Sequence, residues 1–235
     1  MTDRMKLVLV PGLGCDERLW AHQLRHLGEV AEPLPAAIPD GADIGEMAAA
    51  VLAAAPASFA LAGLSMGGYV AFEIVRRAPE RVLRLALLDT KADLDPPEGR
   101  AARQEALRDI AAGRFEAHLE SRLPALLGPD ALADPAKVAA KRAMAMAVGA
   151  ERYARQMRAI MLRPDSLPLL PTIACPTLVL CGRDDALTPV DKHVAMATAI
   201  PRARLAIVEQ CGHLAPMEQP QAVTALMRDW LLYRR

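Results

Sequence analysis

The chain has 235 residues, 53% of them hydrophobic, enough to bury a large core and better suited to one large α/β domain than to two independent ones. Lysine plus arginine equals aspartate plus glutamate at 28 each, so the overall field gives no reason to expect nucleic acid or an anionic membrane as a partner. No apolar run approaches the ~20 residues of a membrane-spanning helix, and Met1 to Gly12 lacks the long apolar stretch and cleavage site of a signal peptide, so a soluble cytoplasmic protein is expected.

In chain order, Met5 to Val10 is a short apolar run. Pro11-Gly12-Leu13-Gly14 punctuates it, and Arg18 to Leu27 carries Leu19, Trp20, Leu24 and Leu27 at helical spacing. Glu29 to Leu34 predicts a further strand and Ile44 to Ala55 a helix. Ser58 to Ala62 reads as a buried strand and Met66 to Ala78 as a helix that stops before Pro79, with Val82 to Leu88 as the next strand. The order returns with Thr177 to Cys181 then Val190 to Ala199, and Arg204 to Val208 then Gln219 to Leu232. Continuous apolar strands alternating with helices imply a mostly parallel sheet of about six strands covered on both faces. Between Lys91 and Pro171 the alternation gives way to helices, broken at Gly113, Pro124, Gly128-Pro129, Pro135 and Pro164. This reads as a helical cap of residues 91–170 inserted into a core of 1–90 and 171–235.

Gly63-Leu64-Ser65-Met66-Gly67 falls at the junction of a strand and a helix. A serine hydroxyl is a weak nucleophile, and a sharp strand-to-helix turn holds it out of the regular backbone where a base can reach it. Such a serine needs a base, a carboxylate to orient the base, and donors for the oxyanion. His213, after the last strand, and Asp185, at the carboxyl end of the preceding one, are the candidates. Asp184 and Asp89 are alternatives for the acid, since Asp184 adjoins Asp185 and Asp89 ends the strand after the serine helix.

With Val10-Pro11-Gly12-Leu13-Gly14, Gly63 to Gly68, Gly182 to Pro189, and Gly212-His213 followed by Pro216, Glu218 and Pro220, the chain resembles the α/β-hydrolase superfamily. Its small single-chain esterases, the pimeloyl-carrier methyl esterases among them, are the nearest in pattern. The resemblance implies an α/β-hydrolase fold with Ser65 as nucleophile, Asp185 as orienting acid, His213 as general base, and the backbone amides of Leu13 and Met66 as the oxyanion hole. The chain departs from it at Pro11-Gly12, where His-Gly is common and the histidine often buttresses the turn. Early entry into the first strand also implies that the antiparallel strands with which the family often begins are missing.

The resemblance implies a serine hydrolase acting on a small carboxylic ester through an acyl-enzyme, without metal or cofactor. Hydrolysis of a carbon–carbon bond, or a lyase or perhydrolase reaction, would use the same triad, and a small-molecule receptor with a slow or vestigial triad is the reading from another class. Lys141 to Arg163 holds six basic residues and one acidic, which could dock an acidic acyl carrier protein. Against that stands an ordinary amphipathic helix with Tyr153, Met157, Ile160 and Met161 inward and Arg152, Arg155 and Arg158 outward. His22 and His26 read as a solvated helix face, and His118 and His193 belong to no constellation. Gly12 and Gly14 lack the third glycine of a dinucleotide fingerprint, and the four cysteines lack metal-binding spacing, so reduced thiols are expected, buried and inert at Cys181 and Cys211.

Overall fold

In the computed structural model, which describes residues 4–37 and 39–232, six strands form one sheet. The first three residues of the Met1–Gly12 segment lie outside the described residues. The strands are β1 (Lys6–Val10), β2 (Glu32–Pro35), β3 (Phe59–Leu64), β4 (Val82–Leu88), β5 (Thr177–Gly182) and β6 (Ala203–Val208). They run in the order β2-β1-β3-β4-β5-β6, and every adjacent pair is parallel.

The apolar runs explain this arrangement, because side chains alternate across the sheet and each face buries its own set. On one face Leu7, Leu9, Ala60, Ala62, Leu64, Leu88 and Leu180 pack with α1 (Ala21–His26) and α11 (Pro220–Leu232). On the other, Val8, Val10, Leu61, Leu85, Leu87 and Val179 pack with α2 (Ile44–Ala54), α3 (Met66–Arg77) and α9 (Val190–Ala199). The strand read at 29–34 forms later, as β2, after two turns that begin at Leu27, whose carbonyl accepts from the Val30 and Ala31 N–H groups. Pro33 and Pro35 are tolerated there because β2 is an edge strand with one unpaired side. The helix expected over 18–27 is split into a 3-10 turn, Glu17–Trp20, and α1. His22 is not simply solvated, since its Nδ1 lies 2.7 Å from Thr224 Oγ1 on α11.

Between β4 and β5 the chain is helical: α4 (Pro97–Ala111), α5 (Phe115–Leu126), α6 (Pro129–Leu132), α7 (Pro135–Val148) and α8 (Ala150–Leu162). Ile110, Phe115, Leu119, Ala145, Val148 and Met157 form a cluster of their own, while Ala159 and Ile160 of α8 join the core beneath. Five of the six basic residues of 141–163 have partners within the chain: Lys141 on Gly14 O, Arg142 on Glu120, Arg152 and Arg155 on Asp40, and Arg163 on Asp95. The two guanidiniums, Arg155 foremost, hold Asp40 down at about 2. This segment therefore spends most of its positive charge internally.

His193 on α9 is fully buried, with its Nε2 accepting from the Thr90 N–H at 3.1 Å and its Nδ1 3.3 Å from Pro189 O. Burial pushes it down to about 4, so the native ring stays neutral while an unfolded one begins to bind a proton near 6.5. A depressed native value means that this stabilisation is present above about pH 6.5 and is lost as pH falls toward 4. Asp89, raised by burial and by Asp185, contributes with the opposite sign, so the His193 effect is isolated by difference. In urea unfolding, the stability gap between wild type and His193→Gln should narrow by roughly 3 kcal/mol between pH 7 and pH 4. A gap that does not change with pH would contradict this.

Candidate active site

Ser65 is held in a backbone conformation that its residue type rarely adopts, with φ 53° and ψ −113°. Its N–H donates to Leu88 O at 3.0 Å, and its carbonyl accepts from the Gly68 N–H at 2.9 Å and from Thr90 Oγ1 at 2.8 Å. The flanking glycines are required by close approach: a methyl group on Gly63 would overlap the Gly67 carbonyl, and one on Gly67 would overlap the Val10 carbonyl. Two glycines in the first turn of α3 each cost roughly 1 kcal/mol of helix propensity relative to alanine. Packing overrides that cost, for every residue from Met66 to Val75 is buried.

Ser65 Oγ lies 2.9 Å from His213 Nε2, and His213 Nδ1 lies 2.8 Å from Asp185 Oδ2. Nδ1 faces a carboxylate, so it is the nitrogen that carries the proton, which leaves Nε2 free to accept from the serine. Asp185 is almost wholly buried. Burial alone would raise its pKa, but His213 together with the Thr188 hydroxyl and amide outweighs this and holds it at about 2. Thr188 Oγ1 donates to Oδ2 at 2.6 Å, and the Leu187 and Thr188 amides donate to Oδ1 at 2.8 and 2.9 Å. The carboxylate is thus ionised and fixed in direction.

The two alternative acids lie elsewhere. Asp184 is exposed. Asp89 is fully buried and accepts from the Gly182 N–H at 2.9 Å and the Ala215 N–H at 3.1 Å, tying the end of β5 to the loop that carries His213. Glu218, on the short helix α10 (Ala215–Glu218), completes that loop's support. Its Oε2 accepts from Gly128 N and Gly212 N, both at 2.9 Å, and its Oε1 from Leu214 N at 2.8 Å. Glu218 was visible only as part of a pattern; two of its backbone partners, Gly212 and Leu214, lie just before it, but Gly128 is 90 residues away, and no local spacing encodes that bond.

Met66 follows Ser65 directly and Leu13 lines the same cavity, and neither residue's amide donates to another described residue. Met66 opens α3, where the first N–H groups have no intrahelical acceptor and the helix dipole favours negative charge. Leu13 belongs to a loop clamped one residue later. Gly14 N donates to Gln156 Oε1 at 3.1 Å, and Lys141 Nζ donates to Gly14 O at 2.7 Å. Gln156 is fully buried and also donates to Pro39 O at 2.7 Å. A side chain at Gly14, φ +60°, would strike the Tyr153 ring. Residues on α7 and α8 therefore brace the turn that a histidine at position 11 would otherwise support.

These groups open onto a cavity of about 360 Å³ whose walls include Leu13, Ser65 and His213 from the sheet side and Tyr153, Met157 and Ile160 from α8. His118, assigned to no constellation by the sequence, lines this cavity as well, with Nε2 3.3 Å from the Tyr153 hydroxyl. The thiols of Cys181 and Cys211 are buried and unoxidised, and burial raises both, Cys181 to about 12. Among the described residues no cluster of His, Cys, Asp and Glu could hold a metal ion, and no helix is long and apolar enough to cross a membrane.

The family model described as alpha/beta hydrolase matches residues 7–226. The chain belongs to this family. It is 31% identical over 217 residues to a Klebsiella pneumoniae protein named for carbamate hydrolase activity, RutD, covering 87% of this chain and 77% of that one. It is 25% identical to a pimeloyl-[acyl-carrier protein] methyl ester esterase of Aromatoleum aromaticum over 97% of this chain and 98% of that one. Among solved structures, a thermophilic esterase from Thermogutta terrifontis superposes with a TM-score of 0.88 at 33% identity, covering 97% of this chain and 89% of that one.

The clamp on Gly14 yields an expectation of its own. Gln156→Leu removes the acceptor for the Gly14 amide while filling similar volume, so the rate at which a fluorophosphonate labels Ser65 should fall about 10-fold to 100-fold with circular dichroism unchanged. An unchanged labelling rate would show that the clamp does not set the geometry of the Leu13 amide.

Proposed function

We propose that this hydrolase is a serine esterase acting on a small carboxylic ester, with Ser65 as nucleophile, His213 as general base and Asp185 as its orienting acid. The observation that carries this reading is the continuous contact from hydroxyl to imidazole to carboxylate, 2.9 Å and then 2.8 Å. We read residues 91–170 as a cap that closes the cavity over the core of 1–90 and 171–235.

In this mechanism His213 Nε2 takes the Ser65 proton as Oγ bonds to the ester carbonyl carbon. The carbonyl oxygen becomes an oxyanion, stabilised by the N–H groups of Leu13 and Met66. The tetrahedral species collapses by breaking the bond to the alkoxy oxygen, which leaves as an alcohol with the proton from His213. Water then repeats the sequence on the acyl-serine, giving its proton to His213 and releasing the acid and free Ser65. Asp185 holds the ring in the required tautomer and stabilises the imidazolium formed at each step.

The similarity to the RutD protein favours a second acyl class for the same machinery, a carbamate, in which nitrogen replaces the carbon attached to the carbonyl. The pimeloyl esterase similarity supports a carrier-linked substrate. However, the internal pairing of Arg152 and Arg155 leaves Arg158 as the one basic residue of 141–163 without a hydrogen-bonded or ionic partner among the described residues, so a free ester is the primary reading.

Wild type should hydrolyse p-nitrophenyl acetate and take up one equivalent of fluorophosphonate. Ser65→Ala should lose both, with a fall of at least 10⁴-fold in kcat. Asp185→Asn should lower kcat by about 10³-fold to 10⁴-fold with little change in KM. Labelling of Ser65 without turnover of any ester or carbamate would favour a receptor, and hydrolysis that survives Ser65→Ala would overturn the assignment.

A further inference from the structure

The charged residues of the cavity do not balance. Lys91, Arg103 and Arg122 line it as cations, and among the described residues Asp95 is the one carboxylate lining it. Asp95 is already heavily committed: it accepts from Arg103 Nε at 2.8 Å and Arg163 NH2 at 3.0 Å, and Lys91 Nζ stands 3.1 Å away. Arg122 is different. It is half-buried, lines the cavity, and has no hydrogen bond or ion pair with any other described residue. It stands one helical turn from His118 on α5, and both line the cavity.

Taking the reaction proposed above as given, we infer that the cavity selects esters bearing a second, non-reacting carboxylate, and that Arg122 binds that carboxylate. A cation withdrawn from water without a counter-charge is unfavourable, and a bound anion removes the penalty. A single free guanidinium presents a planar fork that matches one carboxylate through two parallel hydrogen bonds. A phosphate dianion would call for further donors, and those nearby, Lys91 and Arg103, are spent on Asp95. Arg122, without a counter-ion among the described residues, attracts an anion and disfavours a cationic ester. His118 adds no charge of its own: burial first, then the charge of Arg122, push it below the usual imidazole range, so it faces the cavity as a neutral polar group. The apolar wall of Met157 and Ile160 suits the methylene chain between the two carboxyl groups.

The test separates binding from turnover. Calorimetric titration of Ser65→Ala with monomethyl succinate, monomethyl glutarate and monomethyl adipate, each against its dimethyl ester, should show at least one monoester binding tenfold or more tightly than its diester. Adding Arg122→Gln should bring that ratio toward one, and Arg122→Lys should restore part of it. Arg158→Gln, on the exposed side of α8, should leave the ratio as it was. The preference should weaken as salt is raised. Equal affinities for monoester and diester, no detectable monoester binding at 10 mM (about 2.7 kcal/mol), or loss of both ligands alike on Arg122→Gln would overturn the inference. Fluorophosphonate labelling of wild type reports on the esterase reading separately. Charge-selective binding without labelling would remove the reaction and keep the subsite, whereas labelling with no charge selectivity would do the reverse.

Discussion

A 2.9 Å contact between Ser65 Oγ and His213 Nε2 joins residues 148 positions apart, and the rest of the molecule can be understood by asking what keeps those two atoms in register. The parallel sheet does most of this. Because its strands all point the same way, the turns after β1, β3, β4, β5 and β6 emerge at one edge, bringing Leu13, Ser65, Asp89, Asp185 and His213 together without long excursions of the chain. A displacement of one ångström along this contact, at the turn after β3 or the loop after β6, would lengthen it beyond hydrogen-bond range.

Each turn is fastened by buried polar groups. Asp89 and Glu218 together accept five backbone N–H groups, and those bonds link the ends of β5 and β6 to the segment between α5 and α6. Buried carboxyl groups are costly unless fully hydrogen-bonded, so their presence here, where a hydrophobic residue would pack with less penalty, marks places where direction matters more than stability. Gln156 and Lys141 do the same for the first turn, but from the helices between β4 and β5. Displacing those helices would therefore disturb the Leu13 amide as well as reshape the cavity.

The sheet and the strand-to-helix turn that carries Ser65 were legible in the sequence because their signals are local. Apolar runs such as Leu7 to Val10 and Thr177 to Cys181 need no partner to be read, and Gly63-x-Ser65-x-Gly67 encodes a steric requirement within five residues. Asp185 was preferred over Asp184 only through the family resemblance, and the structure separates the two as buried against exposed. What stayed hidden depends on distant pairs. His118 and Arg122 gain meaning only from α8 and the cavity, Gln156 only from Gly14, and Arg152 and Arg155 only from Asp40, which turns a run resembling a docking face into internal ion pairs. The start of β2 was misplaced because its prolines and the turns before it obscure the apolar pattern.

A nucleophilic Ser65 becomes covalently attached to the acyl group during turnover. Mixing the enzyme with a p-nitrophenyl ester for milliseconds, quenching in acid and mapping the peptides by mass spectrometry measures that directly. An acyl mass on the peptide containing Ser65, absent in His213→Ala, is the predicted result. Turnover with no adduct at any quench time, or an adduct on a different residue, would contradict it.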